Sequence, residues 1–308
     1  METDPKRCSI LIREEAFRLG FDDCGISAAG KLDREKAFLD RWLKEGRHAE
    51  MSYMERNRDK RTDPQKLVPG ARSVISVLVN YYPSRFQEDP SAPVISKYAY
   101  YPDYHRIIKN RLHLLLDYIE QHMGRVKSRI FVDSAPVLER AWAARSGLGW
   151  IGKNTMLISR KTGSFVFLGE IICDLELAPG KEMPDYCGEC TRCLDACPTG
   201  ALLAPRVLDA GRCISYHTIE NPGEIPESMR GKMQNRIFGC DICQDVCPWN
   251  RKVRPTSFPE LEPVPGLLEM TTDEWKALDE TTYRSTFAGT SLERTGYRGI
   301  IRNLKYRK

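Results

Sequence analysis

Apolar and polar residues along this 308-residue chain follow two different periods. Residues 9–19, SILIREEAFRL, and 32–45, LDREKAFLDRWLKE, repeat their apolar side chains every three or four positions, which predicts amphipathic helices ended by Gly20 and Gly46. Residues 73–79, SVISVLV, form a β-branched run suited to a buried strand. Asp103 is placed to cap a long helix reaching Met123, with Ile107, Ile108, Leu112, Leu115, Leu116 and Ile119 inward. A strand is expected at 129–133, followed by a helix entered through Pro136. Strands at 156–159 and 164–172 flank Lys161-Thr162-Gly163, which reads as a hairpin turn. The pattern predicts an α+β or α/β domain over residues 1–180. Residues 181–255 form a small cysteine-rich module with few apolar side chains, so its stability is expected to depend on metal. Residues 256–308 are a C-terminal segment, rich in proline at first and basic at its end.

Composition narrows the class. With 41% hydrophobic and 29% charged residues the chain reads as globular, and no apolar stretch approaches the roughly 18 residues of a membrane span. The net charge of +5 permits an anionic partner without demanding one. The first twenty residues, METDPKRCSILIREEAFRLG, carry no apolar signal-peptide core, so a cytoplasmic, reducing location is expected.

That location matters because the chain holds eleven cysteines. Four stand as Cys187-x2-Cys190-x2-Cys193-x3-Cys197-Pro198, the ferredoxin-type run for iron-sulfur clusters, and a shorter copy follows as Cys240-x2-Cys243-x3-Cys247-Pro248. In two-cluster ferredoxins the last cysteine of each run crosses to the other cluster. Cys187, Cys190, Cys193 and Cys247 then complete one cubane. Cys197, Cys240 and Cys243 lack one thiolate for the second, and Cys213, between the runs, is its natural fourth ligand. Cys8, Cys24 and Cys173 stand apart from any ligand-spaced run and read as small buried apolar residues. Zinc prefers separated ligand pairs, and disulfides need an oxidising compartment; both fit these eight positions less well than two 4Fe-4S clusters.

Three other features carry a plain and a sharp reading. Gly147-Leu-Gly149-Trp-Ile-Gly152 satisfies G-x-G-x-x-G, but a helical pattern precedes it and a strand follows, the reverse of a nucleotide loop, so it reads as a turn where backbone approaches some other bound group. Asp133, at a strand end before Ser134-Ala135-Pro136, either caps the next helix or is a general acid whose pKa burial raises. Arg56, Arg58, Lys60 and Arg61, and again Arg294, Arg298, Arg302, Lys305, Arg307 and Lys308, are either solvated helix faces or a surface that tracks phosphates.

Taken together, Tyr98-Ala99, Asp103-Tyr104-His105, the stretch from Val132 to Arg140, Gly149-Trp150-Ile151-Gly152-Lys153-Asn154, Leu168-Gly169-Glu170 and both cysteine runs through Trp249-Asn250 resemble the epoxyqueuosine reductase family over nearly the whole chain. The resemblance implies an α+β fold: a nitroreductase-like cobalamin-binding domain with a two-cluster ferredoxin-like module, similar in plan to reductive dehalogenases. It implies reduction of epoxyqueuosine to queuosine in a tRNA anticodon loop, with cobalamin and two [4Fe-4S] clusters as cofactors and Asp133 protonating the epoxide oxygen. It further implies cobalamin contacts at Arg56, Lys97, Tyr98, Asp133, Lys153, Asn154 and Leu157. Arg294, Arg298, Arg302 and Lys305 are expected to touch tRNA phosphates.

The D-x-H-x-x-G motif that supplies a histidine to cobalt is absent, since Ile108 takes the glycine's place after Asp103-x-His105. Relatives of this family often continue into a C-terminal helical-repeat extension, so the basic tail is expected to replace some of its tRNA contacts. A reduced donor such as flavodoxin or ferredoxin and a monomeric state are also expected. The rivals are a corrinoid reductive dehalogenase, which the missing twin-arginine leader disfavours, and a non-catalytic ferredoxin-like carrier, which leaves some 180 residues without a task.

Overall fold

The computed structural model describes residues 3–307. Helix α1 (Pro5–Arg18) opens on Asp4, whose carboxylate accepts the Arg7 N–H at 2.9 Å, and on a proline at the first turn. Strand β1 (Asp23–Ala28), helices α2 (Asp33–Lys44) and α3 (Arg58–Thr62), and strands β2 (Ser73–Asn80) and β3 (Val94–Ile95) follow. Next come helix α4 (Tyr104–Met123), strand β4 (Ser128–Phe131), helix α5 (Glu139–Arg145) and strands β5 (Trp150–Ile151), β6 (Leu157–Ile158) and β7 (Val166–Cys173). The remaining elements are α6 (Arg192–Asp195), β8 (Leu202–Ala204), β9 (Val207–Leu208), β10 (Arg236–Phe238), α7 (Ile242–Asp245), α8 (Thr272–Ala277), α9 (Glu280–Phe287) and α10 (Gly296–Tyr306).

A four-stranded antiparallel sheet, ordered β1-β2-β7-β4, lies at the centre. All eight residues of β2 are buried, because helices cover both faces and leave no solvated side to alternate toward. One face carries Ile75, Val77 and Ile171 against Ile12 of α1 and Ile108, Leu112 and Leu115 of α4. Gly169 admits α4 here: a Cβ at this position would lie 2.8 Å from Leu112 Cδ1 and 2.9 Å from Ile108 Cγ2. The opposite face carries Val74, Phe131 and Ile172 against Trp142 of α5, and Leu78 and Leu168 against Ala143.

Three local expectations are corrected. The turn at Lys161–Gly163 forms, with Ser159 and Gly163 exchanging backbone hydrogen bonds, but its arms part: β6 pairs with β5, while β7 enters the central sheet. The helix after residue 133 begins at Glu139 rather than Pro136, because residues 133–138 turn sharply at the strand end. Strand β1, DCGISA, was not foreseen; an aspartate, a glycine and a serine obscure its period, although five of its six residues are buried.

The cysteine module has a core of its own, Ile214, Ile225, Met229, Met233 and Ile242. It is tied to the first half by the parallel pair β3–β10. The C-terminal segment is not an appendage. Phe258, Leu267, Trp275, Phe287, Leu292 and Ile300 belong to the same apolar core as Ile12 and Ile75. Among the described residues no helix is long and apolar enough to cross a membrane.

Candidate active site

Asp133 follows β4 with φ at +52°, a left-handed conformation that costs a non-glycine residue energy and marks a constrained position. It caps no helix; Leu138 precedes α5 without a side-chain cap bond. Its backbone N–H donates to Glu139 Oε1, and its Oδ2 lies 3.1 Å from His105 Nε2. His105 Nδ1 in turn lies 2.6 Å from Asp103 Oδ1, and the same carboxylate oxygen caps α4 by accepting the His105 N–H at 2.9 Å. Tyr104 fixes the imidazole plane, stacking on it at 4.2 Å and on Phe167 at 4.1 Å. Asp133, His105 and Asp103 thus form one hydrogen-bonded line at the N-terminus of the longest helix.

The electrostatics correct one expectation. Burial alone would raise Asp133, but the hydrogen bond and charge of His105, the Tyr104 hydroxyl and Arg140 outweigh it and hold the carboxylate below its usual range. Burial would likewise lower His105, yet hydrogen bonds to Asp133 and Asp103 raise it. The proton of this line therefore sits on His105. Protein surrounds Asp133 on most sides, yet 60% of its side-chain surface is open, so it lines a cleft. Tyr53, Tyr98 and Arg294 approach closely enough for their ionisation to respond to its charge. Tyr53 was not singled out from the sequence; Tyr104 and Glu139 stood only in segments that carry the resemblance, and His105 was weighed only as a cobalt ligand.

Of the residues expected to touch a corrinoid, Lys97, Lys153 and Asn154 bond to the cysteine module, and Tyr98 lies near Asp133. The Lys97 ammonium bridges to Asp245 at 2.6 Å and Asp241 at 3.5 Å, and Asp241 also accepts the Lys97 N–H and the Ser96 hydroxyl. Lys153 reaches Gly188 O at 2.7 Å, and Asn154 Nδ2 reaches Cys243 O at 3.2 Å. Leu157 is buried, Tyr98 half-buried and Arg56 exposed. Gly149 and Gly152 serve a different end from the one expected: a Cβ at Gly149 would collide with Ile158 O, and one at Gly152 with the side chains of Ile158 and Asn154, so the glycines admit the chain's own β6 and a neighbouring side chain rather than a bound group.

The eight module cysteines fall into two sets. Cys193 and Cys247 each feel the charge of Cys187, and Cys247 also feels Cys190. In the second set Cys213 feels Cys197, Cys240 feels Cys213, and Cys243 feels both Cys240 and Cys213. Cys243 also feels Cys193, so the sets adjoin. Trp150 Nε1 donates to Cys187 Sγ at 3.4 Å, and the Ala201 N–H to Cys197 Sγ at 3.3 Å, bonds of the kind that tune cluster potential. Among the described residues no three His, Cys, Asp or Glu side chains converge tightly enough for a single metal ion, and an all-thiolate donor set in two fours suits cubanes better than zinc.

The basic tail divides. Arg298 and Lys305 are exposed on α10, and Arg294 pairs with Glu220 at 2.8 Å beside the cleft. Arg302 points into the fold and donates to His217 O, Asn221 O, Gly223 O and Asn303 Oδ1. All five of its N–H groups are spent, which removes it from the phosphate-binding set. Lys308 lies outside the described residues.

Residues 186–250 match the 4Fe-4S double cluster binding domain, and residues 61–134 match the model described as Epoxyqueuosine reductase QueG, DUF1730. The epoxyqueuosine reductase of Cellulophaga algicola is 49% identical over 308 residues, covering 100% of both chains. A crystal structure of epoxyqueuosine reductase with an epoxyqueuosine-modified tRNA-Tyr stem loop superposes with a TM-score of 0.91 at 32% identity, over 98% of this chain and 80% of that one. The Bacillus subtilis enzyme, with its catalytic aspartate loop swung out of the active site, gives a TM-score of 0.89 at 31% identity, over 98% and 81%. A reductive dehalogenase at 16% identity, TM-score 0.51, shares the fold alone. Close identity along an entire relative, together with the double-cluster match, settles the assignment: this chain belongs to the epoxyqueuosine reductase family.

Proposed function

We propose that this chain reduces epoxyqueuosine to queuosine in the anticodon loop of tRNA, with two [4Fe-4S] clusters and cobalamin as its cofactors. The observation that carries the reading is the placement of the Asp133 line in an open cleft beside the seam where Ser96, Lys97, Lys153 and Asn154 grip both cysteine runs. The reaction consumes two electrons and two protons and releases water as the epoxide becomes an alkene. Cobalamin, when bound, supplies the two-electron chemistry at the epoxide carbon. Arg56, Lys97, Tyr98, Lys153 and Asn154 would offer hydrogen-bond donors to the amides at the rim of its ring, and Leu157 an apolar contact. No cobalt-ligating histidine is assigned.

The protein's task is protonation. His105, steadied by Asp103, holds the proton, and Asp133, ionised at rest and bonded to His105, relays it to the epoxide oxygen. Cys187, Cys190, Cys193 and Cys247 hold one cluster; Cys197, Cys213, Cys240 and Cys243 hold the other. The exposed Arg298 and Lys305, and Arg294 at the cleft, meet tRNA phosphates. A flavodoxin or ferredoxin supplies electrons to a monomeric, cytoplasmic enzyme. Asp133→Asn, with iron and cobalamin occupancy measured in the same sample, should lose about 10²- to 10⁴-fold in turnover, the usual worth of general acid catalysis. Near-normal turnover would remove Asp133 from the chemistry.

A further inference from the structure

Glu170 is the most unusual ionisable residue in the sheet. It lies in the middle of β7, fully buried, across from Phe131 on β4 and from Ser76 on β2. Neither of its carboxyl oxygens has a hydrogen-bond partner among the described residues, and the Ser76 hydroxyl beside it has none either. A lone buried carboxylate would cost several kcal/mol. Its carboxyl group faces that of Glu139, the first residue of α5, within hydrogen-bonding range. Two ionised carboxylates have no hydrogen to place between them, so the contact becomes a bond only if one of them keeps a proton. Glu139 Oε1 also accepts the backbone N–H of Asp133. One carboxyl group therefore joins the buried Glu170 to the strained turn that carries the proposed acid.

We propose that Glu170, kept neutral by its burial, backs Glu139, and that these two positioning residues latch the Asp133 turn in its inward pose. The proposal rests on the function read above and deepens it. The groups facing the pair agree. Burial and the negative charge of Asp133 raise Glu139 to about 8, with Arg140 and His105 partly opposing; burial and the Glu139 carboxyl raise Glu170 further. Tyr104 and His105 hold Asp133 from the α4 side and do not touch Glu170. Loss of the Glu139 proton would set its carboxylate against that of Asp133, and the turn, strained at φ +52°, is the part able to yield. In the B. subtilis relative the catalytic aspartate loop has been seen swung out, so a loop of this kind can move.

The test is amide hydrogen exchange of residues 131–138 in the holoenzyme, corrected for intrinsic rates. In the wild type, protection of the Asp133 amide should fall as pH rises through about 8. Glu170→Gln keeps a hydrogen-bond donor toward Glu139 in its amide N–H and should keep the protection and its fall with pH. Glu139→Ala should abolish protection at every pH while cluster absorbance stays unchanged. An infrared band of buried protonated carboxyl, present in the wild type and reduced in Glu170→Gln, reports the Glu170 proton directly. Glu170→Leu, which leaves Glu139 without its partner, should lower kcat by about 10²-fold with KM unmoved, the scale of a misplaced catalytic group. Wild-type exchange in Glu139→Ala, or an unchanged infrared band in Glu170→Gln, would overturn the latch. These exchange and infrared readings do not depend on the reaction, so they can fail while Asp133→Asn kinetics uphold the functional reading, and the reverse.

Discussion

The cysteine module and the Asp133 cleft both gather acidic groups in one place, and they neutralise them by different means. The module assembles eight thiols in two adjoining sets around a core of only five buried apolar residues, Ile214, Ile225, Met229, Met233 and Ile242. The cleft assembles Asp103, Asp133, Glu139 and Glu170 against His105 and Arg140, over a sheet whose strands are otherwise apolar. Thiolates brought together need metal, whose binding energy doubles as folding energy. Carboxyl groups brought together need protons, held here by His105 and by the Glu139–Glu170 pair. One region should respond to chelation and oxidation, the other to pH.

Removal of a cluster ligand should have the largest effect. Anaerobically purified protein should carry about eight irons per chain by ligand count. Cys213→Ser should fall to about four by the same count, losing the second cluster and with it all turnover, whereas Cys8→Ser should keep both clusters. Full iron content in Cys213→Ser would sharpen the comparison by moving the fourth ligand elsewhere.

The cleft should answer to pH instead. His105 is held above its usual 6.5 by Asp133 and Asp103. Its proton is therefore present at low pH and lost as pH rises through that raised value, and kcat/KM should fall in parallel. His105→Gln should flatten this limb and lower kcat by about 10²-fold, the low end for a proton-transfer group. A retained alkaline limb at the same pH would assign it to another group and weaken the contrast with the metal-dependent module.

The two regions also differed in how far they could be read from sequence, for a physical reason. A cubane needs thiolates from one tight turn, so Cys187, Cys190 and Cys193 announce themselves by spacing, and the helix spanning Tyr104–Met123 announces its inward face the same way. The cleft draws on residues 53, 98, 103–105, 133, 139, 170 and 294, which no local period connects. Asp133 was noticed, but its charge state depends on His105, some thirty positions away. Glu170 stood only within the Leu168-Gly169-Glu170 segment of the resemblance, with no role, since a lone acidic residue in an apolar strand does not name its partner at the start of a helix. Arg302 misled for the converse reason: basic residues on a helix look alike until their acceptors are known.

That residue gives a smaller, structural effect. Arg302→Ala would leave His217 O, Asn221 O and Gly223 O short of a donor, at a cost on the order of 3 kcal/mol, given about 1–3 kcal/mol for each group left unsatisfied. Thermal unfolding should move down accordingly, with the salt dependence of tRNA binding unchanged in the folded fraction. A changed salt slope with intact stability would return Arg302 to the RNA-binding surface.

The smallest effect is expected where the chain is fully solvated. Arg298 and Lys305 lie seven positions apart on α10, so both project from one face, and both are exposed. Phosphate contacts fix position without reading bases, and each contributes to the dependence of affinity on salt. Arg298→Gln combined with Lys305→Gln should raise the Kd for the epoxyqueuosine-containing stem loop and reduce the slope of log K against log salt by about 1.5, for two contacts at roughly 0.7–0.9 each. Turnover of an isolated epoxyqueuosine nucleoside should not change, because the nucleoside lacks the stem-loop phosphates these side chains would meet. An unaltered slope would leave this face of α10 as ordinary solvated surface, and attention would pass to Arg294 at the rim of the cleft and to the exposed Arg56, Arg58 and Lys60.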